Sequence, residues 1–254
     1  MKIQSPYALL FDIGNTRIKW GMYDLAVGVW HKKGLIEHDE LADWLNKYRP
    51  ILDQATLIKG SNVSTSHFQE KINQSSHHTI EWVVSETARA SVINRYDFPN
   101  KLGADRWLSL IAARSAHEGN VVVVNAGTAV TIDALDESGA FRGGFIVPGL
   151  HLMRQSLAKG TAGLPLQEGG FANYPSNTGN ALYTGAVQAI AGAIMQIAHQ
   201  MLNDGIPPGM CMLSGGDANI IAPHLSLPVT IVEHLVLDGL AVISQHAYSS
   251  MGKE

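Results

Sequence analysis

The chain predicts an α/β fold made twice: two halves, each a mixed β-sheet flanked by helices. Three observations predict it. Its 254 residues allow one large domain or two halves of ordinary size with a substantial core. Two short cassettes repeat one another: Leu9-Leu10-Phe11-Asp12-Ile13-Gly14-Asn15-Thr16, and Val123-Val124-Asn125-Ala126-Gly127-Thr128. Each has an apolar strand, a polar Asp or Asn at its end, a Gly turn with a Thr, and a second β-rich run. Finally, three strands followed by alternating helices and strands occur twice in order, which places the division at 1–118 and 119–254.

The elements follow from periodicity. Strands are expected near 7–13, 17–24 and 28–35. A helix is expected over 40–48, where Leu41, Trp44, Leu45 and Tyr48 share one face. Short strands near 56–60 and 80–84 flank a polar helix near 66–74. Pro99 and Gly103 punctuate a loop in the segment 96–118, and 104–117 then reads as a helix. The second half repeats the scheme with strands near 120–125, 129–135 and 141–147. Helices near 150–158 and 178–202 come next, then a strand at 210–214 and a last helix near 235–249.

Composition narrows the function. A net charge of −4 with no Lys/Arg block argues against a nucleic-acid-binding surface. The single cysteine, Cys211, lies among Met210, Met212 and Leu213 and reads as a core residue. Residues 181–198 carry no charge, but Thr184, Gln188 and Gln196 interrupt the run, so a buried helix is expected rather than a membrane span. The first apolar run is short and closed by Asp12, which is not a leader pattern, so a cytoplasmic soluble chain with no membrane partner is expected. His67, His77 and His78 lack a ligand-spaced partner and read as solvated loop histidines.

The cassettes carry the chemistry. A tight glycine hairpin at a strand end presents amides and hydroxyls in a concave turn, a natural phosphate cradle. Two cradles in two halves suggest a nucleotide gripped between them. In the run Asp12-Ile13-Gly14-Asn15-Thr16-Arg17-Ile18-Lys19, the amides of residues 14–16 would face phosphate oxygens and Lys19 would add positive charge. Asp12 would hold Mg²⁺, directly or through water. The second cassette has Asn125 where the first has Asp12, an oxygen donor without a charge, while Gly127 and Thr128 still supply backbone and hydroxyl. Asp133 reads equally as a structural carboxylate. Asp105 and Arg106 open a helix after Gly103. An acid there suits the helix dipole, and a carboxylate beside an arginine also suits phosphoryl transfer to an alcohol. Gly215 and Gly216 follow a strand and would let a flat base or ribose approach the backbone. P-loop, dinucleotide-fingerprint and serine-hydrolase motifs are absent from the sequence.

Together these residues resemble the type III pantothenate kinases, within the superfamily of sugar kinases, acetate kinase, Hsp70 and actin. The hairpin of residues 12–19 is shared with that superfamily. The cluster Tyr96, Gly103-Ala104-Asp105-Arg106, the run Gly143-Gly144-Phe145-Ile146-Val147-Pro148-Gly149 and the pair Asn177-Thr178 are closer to the family. The resemblance implies duplicated ribonuclease H-like, actin-like ATPase domains. It implies ATP phosphates at residues 12–19 and Thr128, and pantothenate at Tyr96, Gly103, Ala104, Asp105, Arg106 and Thr178, with Asp105 as general base. It further implies a homodimer whose pantothenate pocket lies at the interface, and transfer of the ATP γ-phosphoryl group to pantothenate, giving 4′-phosphopantothenate. Where the family has an Asp associated with K⁺ or NH4⁺, this chain has Asn125, which weakens the expectation of a cation. Two alternatives remain at this point: a kinase of another small alcohol or acid, and a regulatory protein of the same fold that binds nucleotide without catalysis.

Overall fold

The computed structural model describes residues 5–161, 163–164 and 166–252. The chain divides into two compact units. One runs to Ala116 and takes up the chain again from Leu235; the other is His117–His234.

The first unit opens with β1 (Tyr7–Ile13), β2 (Arg17–Asp24) and β3 (Trp30–Glu37). There follow α1 (Leu41–Lys47), α2 (Arg49–Gln54), β4 (Leu57–Asn62), α3 (Ser66–Ser75), β5 (Glu81–Trp82), a hairpin of β6 (Ala88–Arg89) and β7 (Val92–Asn94), and α4 (Ala104–Ala116). The sheet order is β3-β2-β1-β4-β5, with β1 antiparallel to β2 and parallel to β4. Every residue of β1 is buried, because it is the central strand with both faces covered. Tyr7, Leu9, Phe11 and Ile13 face a core shared with Trp20, Trp44, Leu52 and Ile72. Trp44 meets Phe11 and Trp20 edge-on, with ring centroids at 5.6 and 4.8 Å.

The second unit contains β8 (Val121–Ala126), β9 (Ala129–Leu135), β10 (Ala140–Pro148), α5 (Leu150–Gly160), α6 (Thr178–Asn203), β11 (Met210–Ser214), α7 (Ala218–Ile221) and β12 (Val229–Ile231). Its strands run β10-β9-β8-β11-β12, the same pattern as β3-β2-β1-β4-β5. Again the first strand is antiparallel to the second and parallel to the fourth. The registers match in detail. Asp12 aligns with Lys19 on one side and Ser61 on the other. Asn125 aligns with Thr131 and Ser214. The duplication seen in the cassettes is therefore a duplication of whole sheets with flanking helices, the expected fold class.

A split of the chain at 118 assigns the last helix, α8 (Leu235–Met251), to the second half. It belongs instead to the first unit, where it packs on α4 and on the β1 face opposite the aromatic core. Gly239 explains the close crossing: a Cβ there would collide with the Leu108 carbonyl of α4. Trp30 donates from Nε1 to Asp238 at 3.0 Å, and the Tyr23 hydroxyl donates to Gln245 at 3.0 Å, tying α8 to the β2–β3 edge.

By length and composition α6 could cross a membrane. It is a partly buried core helix: Val187, Ile190, Ile194, Ile197 and Met201 join the core beneath β8, β9 and β11. Cys211 is buried in the same core, which pushes its thiol up to about 12. Asp133 is fully buried in β9, where it has the setting of an interior carboxylate.

Candidate active site

In the first cassette β1 and β2 pair as far as Ile13 and Ile18, leaving residues 14–17 as the turn. The Gly14 N–H donates to the Arg17 carbonyl at 3.2 Å, and the Val63 N–H holds the Ile13 carbonyl at 3.1 Å. The Gly14 amide is thus engaged within the hairpin. Asn15 and Thr16 stand exposed at the apex.

Asp12 lies just inside that turn and is only 5% exposed. Its carboxylate sits 3.5 Å from the Lys19 ammonium, its neighbour across the β1–β2 pair. Burial raises the Asp12 pKa; Lys19 opposes the rise and the charge of Asp105 adds to it. That influence brings together two residues far apart in sequence.

Asp105 stands in the first turn of α4. Its carboxylate accepts the Arg106 N–H at 2.8 Å. Burial raises its pKa too, against the lowering effect of Arg106 and Lys19. A Cβ at position 103 would stand 2.6 Å from Asp105 Oδ1, so glycine there leaves the carboxylate its room. Arg106 is buried, and its guanidinium lies over the Tyr96 ring at 5.8 Å. Asp12, Lys19, Tyr96, Asp105 and Arg106 therefore form one linked group within the first unit.

Two supports of this group were not singled out in the sequence. Asn94, buried, accepts the Tyr96 N–H at 3.0 Å and donates to the Pro99 carbonyl at 3.1 Å, which shapes the loop carrying Tyr96. Ser85, buried, donates to the Leu102 carbonyl just before Gly103. An Asn two residues before a turn residue is the local signal for the first; the second is a long-range contact with no local signal.

In the second unit β8 and β9 pair as far as Ala126 and Val130, so the turn is residues 127–129, one residue shorter than its counterpart. Thr128 is exposed there and its carbonyl accepts the Gly149 N–H at 2.9 Å. Gly215 and Gly216 follow β11, and Gly215 lies at φ +104° against the backbone of Ala126. Thr178 is exposed in the first turn of α6, capped by the Asn177 side chain, which accepts the Asn180 N–H at 2.9 Å. Among the described residues, no group of three or more His, Cys, Asp or Glu side chains gathers as a metal site. His67, His77 and His78 are exposed; His77 contacts Arg49 and His78 the Asp53 carbonyl.

Twinned sheets with a glycine hairpin at the end of each first strand are the actin-like fold class, and two carboxylates beside a lysine and an arginine are groups that a phosphotransferase of that class would use. Solved structures share the fold. A candidate Baf family transcriptional activator from Campylobacter jejuni matches with TM-score 0.61 and 21% identity, over 95% of this chain and 99% of that one. A candidate 2-dehydro-3-deoxygalactonokinase from Sinorhizobium meliloti matches with TM-score 0.60 and 11% identity, over 95% and 99%. Residues 8–200 match the family model of type III pantothenate kinase. A type III pantothenate kinase of Aromatoleum aromaticum is 40% identical over 93% of this chain and 97% of its own length. One from Dechloromonas aromatica is 42% identical over 90% and 95%. The chain belongs to the type III pantothenate kinase family, and its activity is the ATP-dependent phosphorylation of pantothenate in coenzyme A biosynthesis. That membership sets aside the regulatory reading and the reading as a kinase of another substrate.

Proposed function

We propose that Asp105 is the general base of this reaction and that the first hairpin holds the ATP phosphates. The observation that carries the reading is a half-buried carboxylate at the start of α4 whose charge acts on Asp12 of the hairpin and which Lys19 of the hairpin in turn influences. Asp105 accepts the proton of the primary hydroxyl of pantothenate as that oxygen attacks the γ-phosphorus, and ADP leaves. Lys19 offsets charge on the phosphates, and Arg106, braced against Tyr96, steadies the anionic substrate. Tyr96, Gly103, Ala104 and Thr178 complete the pantothenate contacts. Residues 12–19 and Thr128 serve ATP, and Gly215 and Gly216 serve its adenosine.

A buried carboxylate at a strand end, with its proton affinity raised by burial, suits the Mg²⁺ that accompanies ATP, so Asp12 would hold it. There Mg²⁺ would neutralise phosphate charge. Asn125 fits a monovalent cation poorly. Its aligned neighbours Thr131 and Ser214 are neutral as well, so none of these three side chains offsets a cation's desolvation, and no step is assigned to one.

The test is phosphorylation of pantothenate by the purified protein, with and without added K⁺. Asp105→Asn should lower kcat by roughly 10²–10⁴ while ATP binding is retained. An unchanged kcat removes the role given to Asp105. The wild-type rate should not depend on K⁺.

We also propose a homodimer acting in the cytoplasm. Ala181, Gly185, Ala189 and Gly192 stand exposed along one side of α6, a smooth uncharged surface on which a second helix can pack closely. The same unit exposes Ile146, Phe171 and Tyr174, apolar surface of the kind subunit interfaces cover. Sedimentation equilibrium should give twice the 27.4 kDa chain mass; a monomer at micromolar concentration overturns the proposal.

A further inference from the structure

His38 lies at the start of a 3₁₀ turn, His38–Glu40, that follows β3. Its Nε2 is 3.1 Å from the Gly14 carbonyl oxygen in the first hairpin. A carbonyl only accepts, so Nε2 carries the proton. The ring is held in place from the other side by Phe68 of α3, whose centroid lies 4.1 Å away with the planes tilted by 32°. The neighbouring Glu37 reaches the same hairpin, with its carboxylate 3.8 Å from the Arg17 guanidinium and its Cα aligned with that of Arg17 in the β2–β3 pair. The Glu40 carboxylate in turn accepts the Glu37 N–H at 3.5 Å. The turn carrying His38 is thus seated on the hairpin by several contacts.

We infer that His38 is a positioning residue for the phosphate hairpin, holding the peptide between Gly14 and Asn15 so that the Asn15 N–H faces outward. The argument is geometric. A trans peptide is planar, with its C=O and N–H pointing in opposite directions. Anchoring the Gly14 carbonyl on the His38 side therefore aims the Asn15 N–H away from His38, at the exposed apex. Gly14 and its exposed neighbour would otherwise turn about this peptide at little steric cost. The turned form would present a carbonyl oxygen, a repulsive group, to a phosphate. The other two carbonyls that fix the turn, those of Ile13 and Arg17, are held by backbone amides; the Gly14 carbonyl is held by the His38 side chain instead.

The inference rests on the hairpin being the ATP phosphate site, and the experiment separates the two. Steady-state kinetics on the full-length protein would compare wild type, His38→Ala, His38→Gln and Lys19→Ala, with thermal melts of each. His38→Ala should raise KM for ATP about threefold to tenfold, the effect of one hydrogen bond. Its kcat and KM for pantothenate should stay within about twofold. His38→Gln, whose amide N–H reaches close to the place of Nε2, should recover most of the loss. Should the alanine variant not fold, His38→Asn takes its place, because its N–H falls near Nδ1 and short of Gly14. An unchanged KM for ATP in His38→Ala, with a raised one in Lys19→Ala, overturns the role of His38 and leaves the hairpin reading standing. An unchanged KM in Lys19→Ala overturns the hairpin reading and this inference with it. A lowered melting temperature with both KM values raised together, and no recovery with Gln, overturns it in favour of a structural role.

Discussion

Asp12 and Asp105 are two carboxylates that burial makes easier to protonate, and the charge of Asp105 adds to the effect at Asp12. Lys19 is the cation that opposes the rise at both. A base must be unprotonated, so a raised pKa at Asp105 moves the acid limb of the rate profile upward. The expected outcome is that kcat/KM falls as pH drops through a value above the ordinary carboxylate range, and that the limb is missing from the residual activity of Asp105→Asn. A flat profile down to the range of a free carboxylate contradicts it. Stability runs the other way. The folded state binds these protons more tightly than the unfolded chain, so the pair contributes stability below the unfolded value, and the contribution is lost as pH rises through the folded values. The same burial that prepares the base costs the fold something at neutral pH, which is the usual relation between a site and its scaffold.

At the scale of elements, legibility follows from length and from how local the signal is. β1, β2, β8 and β9 are readable because apolar residues run into Asp12-Ile13-Gly14 and Asn125-Ala126-Gly127, and a Gly turn after a buried strand has few alternatives. α4 is readable from Gly103 and its first-turn acid, and α6 from its length. The hairpin β6–β7, the short α7 and the edge strand β12 lie between signals: two to four residues show no period. α2 is hidden in the sequence because Pro50 sits in its first turn, where proline is tolerated but reads as a break. The site shows the same division. Asp12, Lys19, Asp105 and Arg106 stand in runs whose chemistry can be named. His38 and Ser85 act on backbone carbonyls distant in the chain, Gly14 and Leu102. Such contacts are set by the fold and leave no mark on spacing.

At the scale of the molecule, the first unit is discontinuous, and α8 is what closes it. Leu235, Val236, Leu237, Leu240 and Ile243 are buried in α8, on a sheet face and a helix that the first 116 residues leave uncovered. Each such side chain stabilises by about 1.5–3 kcal/mol, so together they rival the 5–15 kcal/mol typical of a whole domain. Removing residues 235–254 should therefore unfold the first unit, while the second keeps its own core intact. The readout is built in. All five tryptophans, Trp20, Trp30, Trp44, Trp82 and Trp107, lie in the first unit, and Trp107 is fully buried. The truncated chain should show tryptophan emission shifted to the red, as in denaturant, together with residual helical circular dichroism from the second unit. Native emission with an unchanged melting temperature would mean that α8 is not what closes the sheet. Because α8 follows the second unit in the chain, the unit carrying Asp12 and Asp105 can complete its fold only after the whole of the second unit has been made.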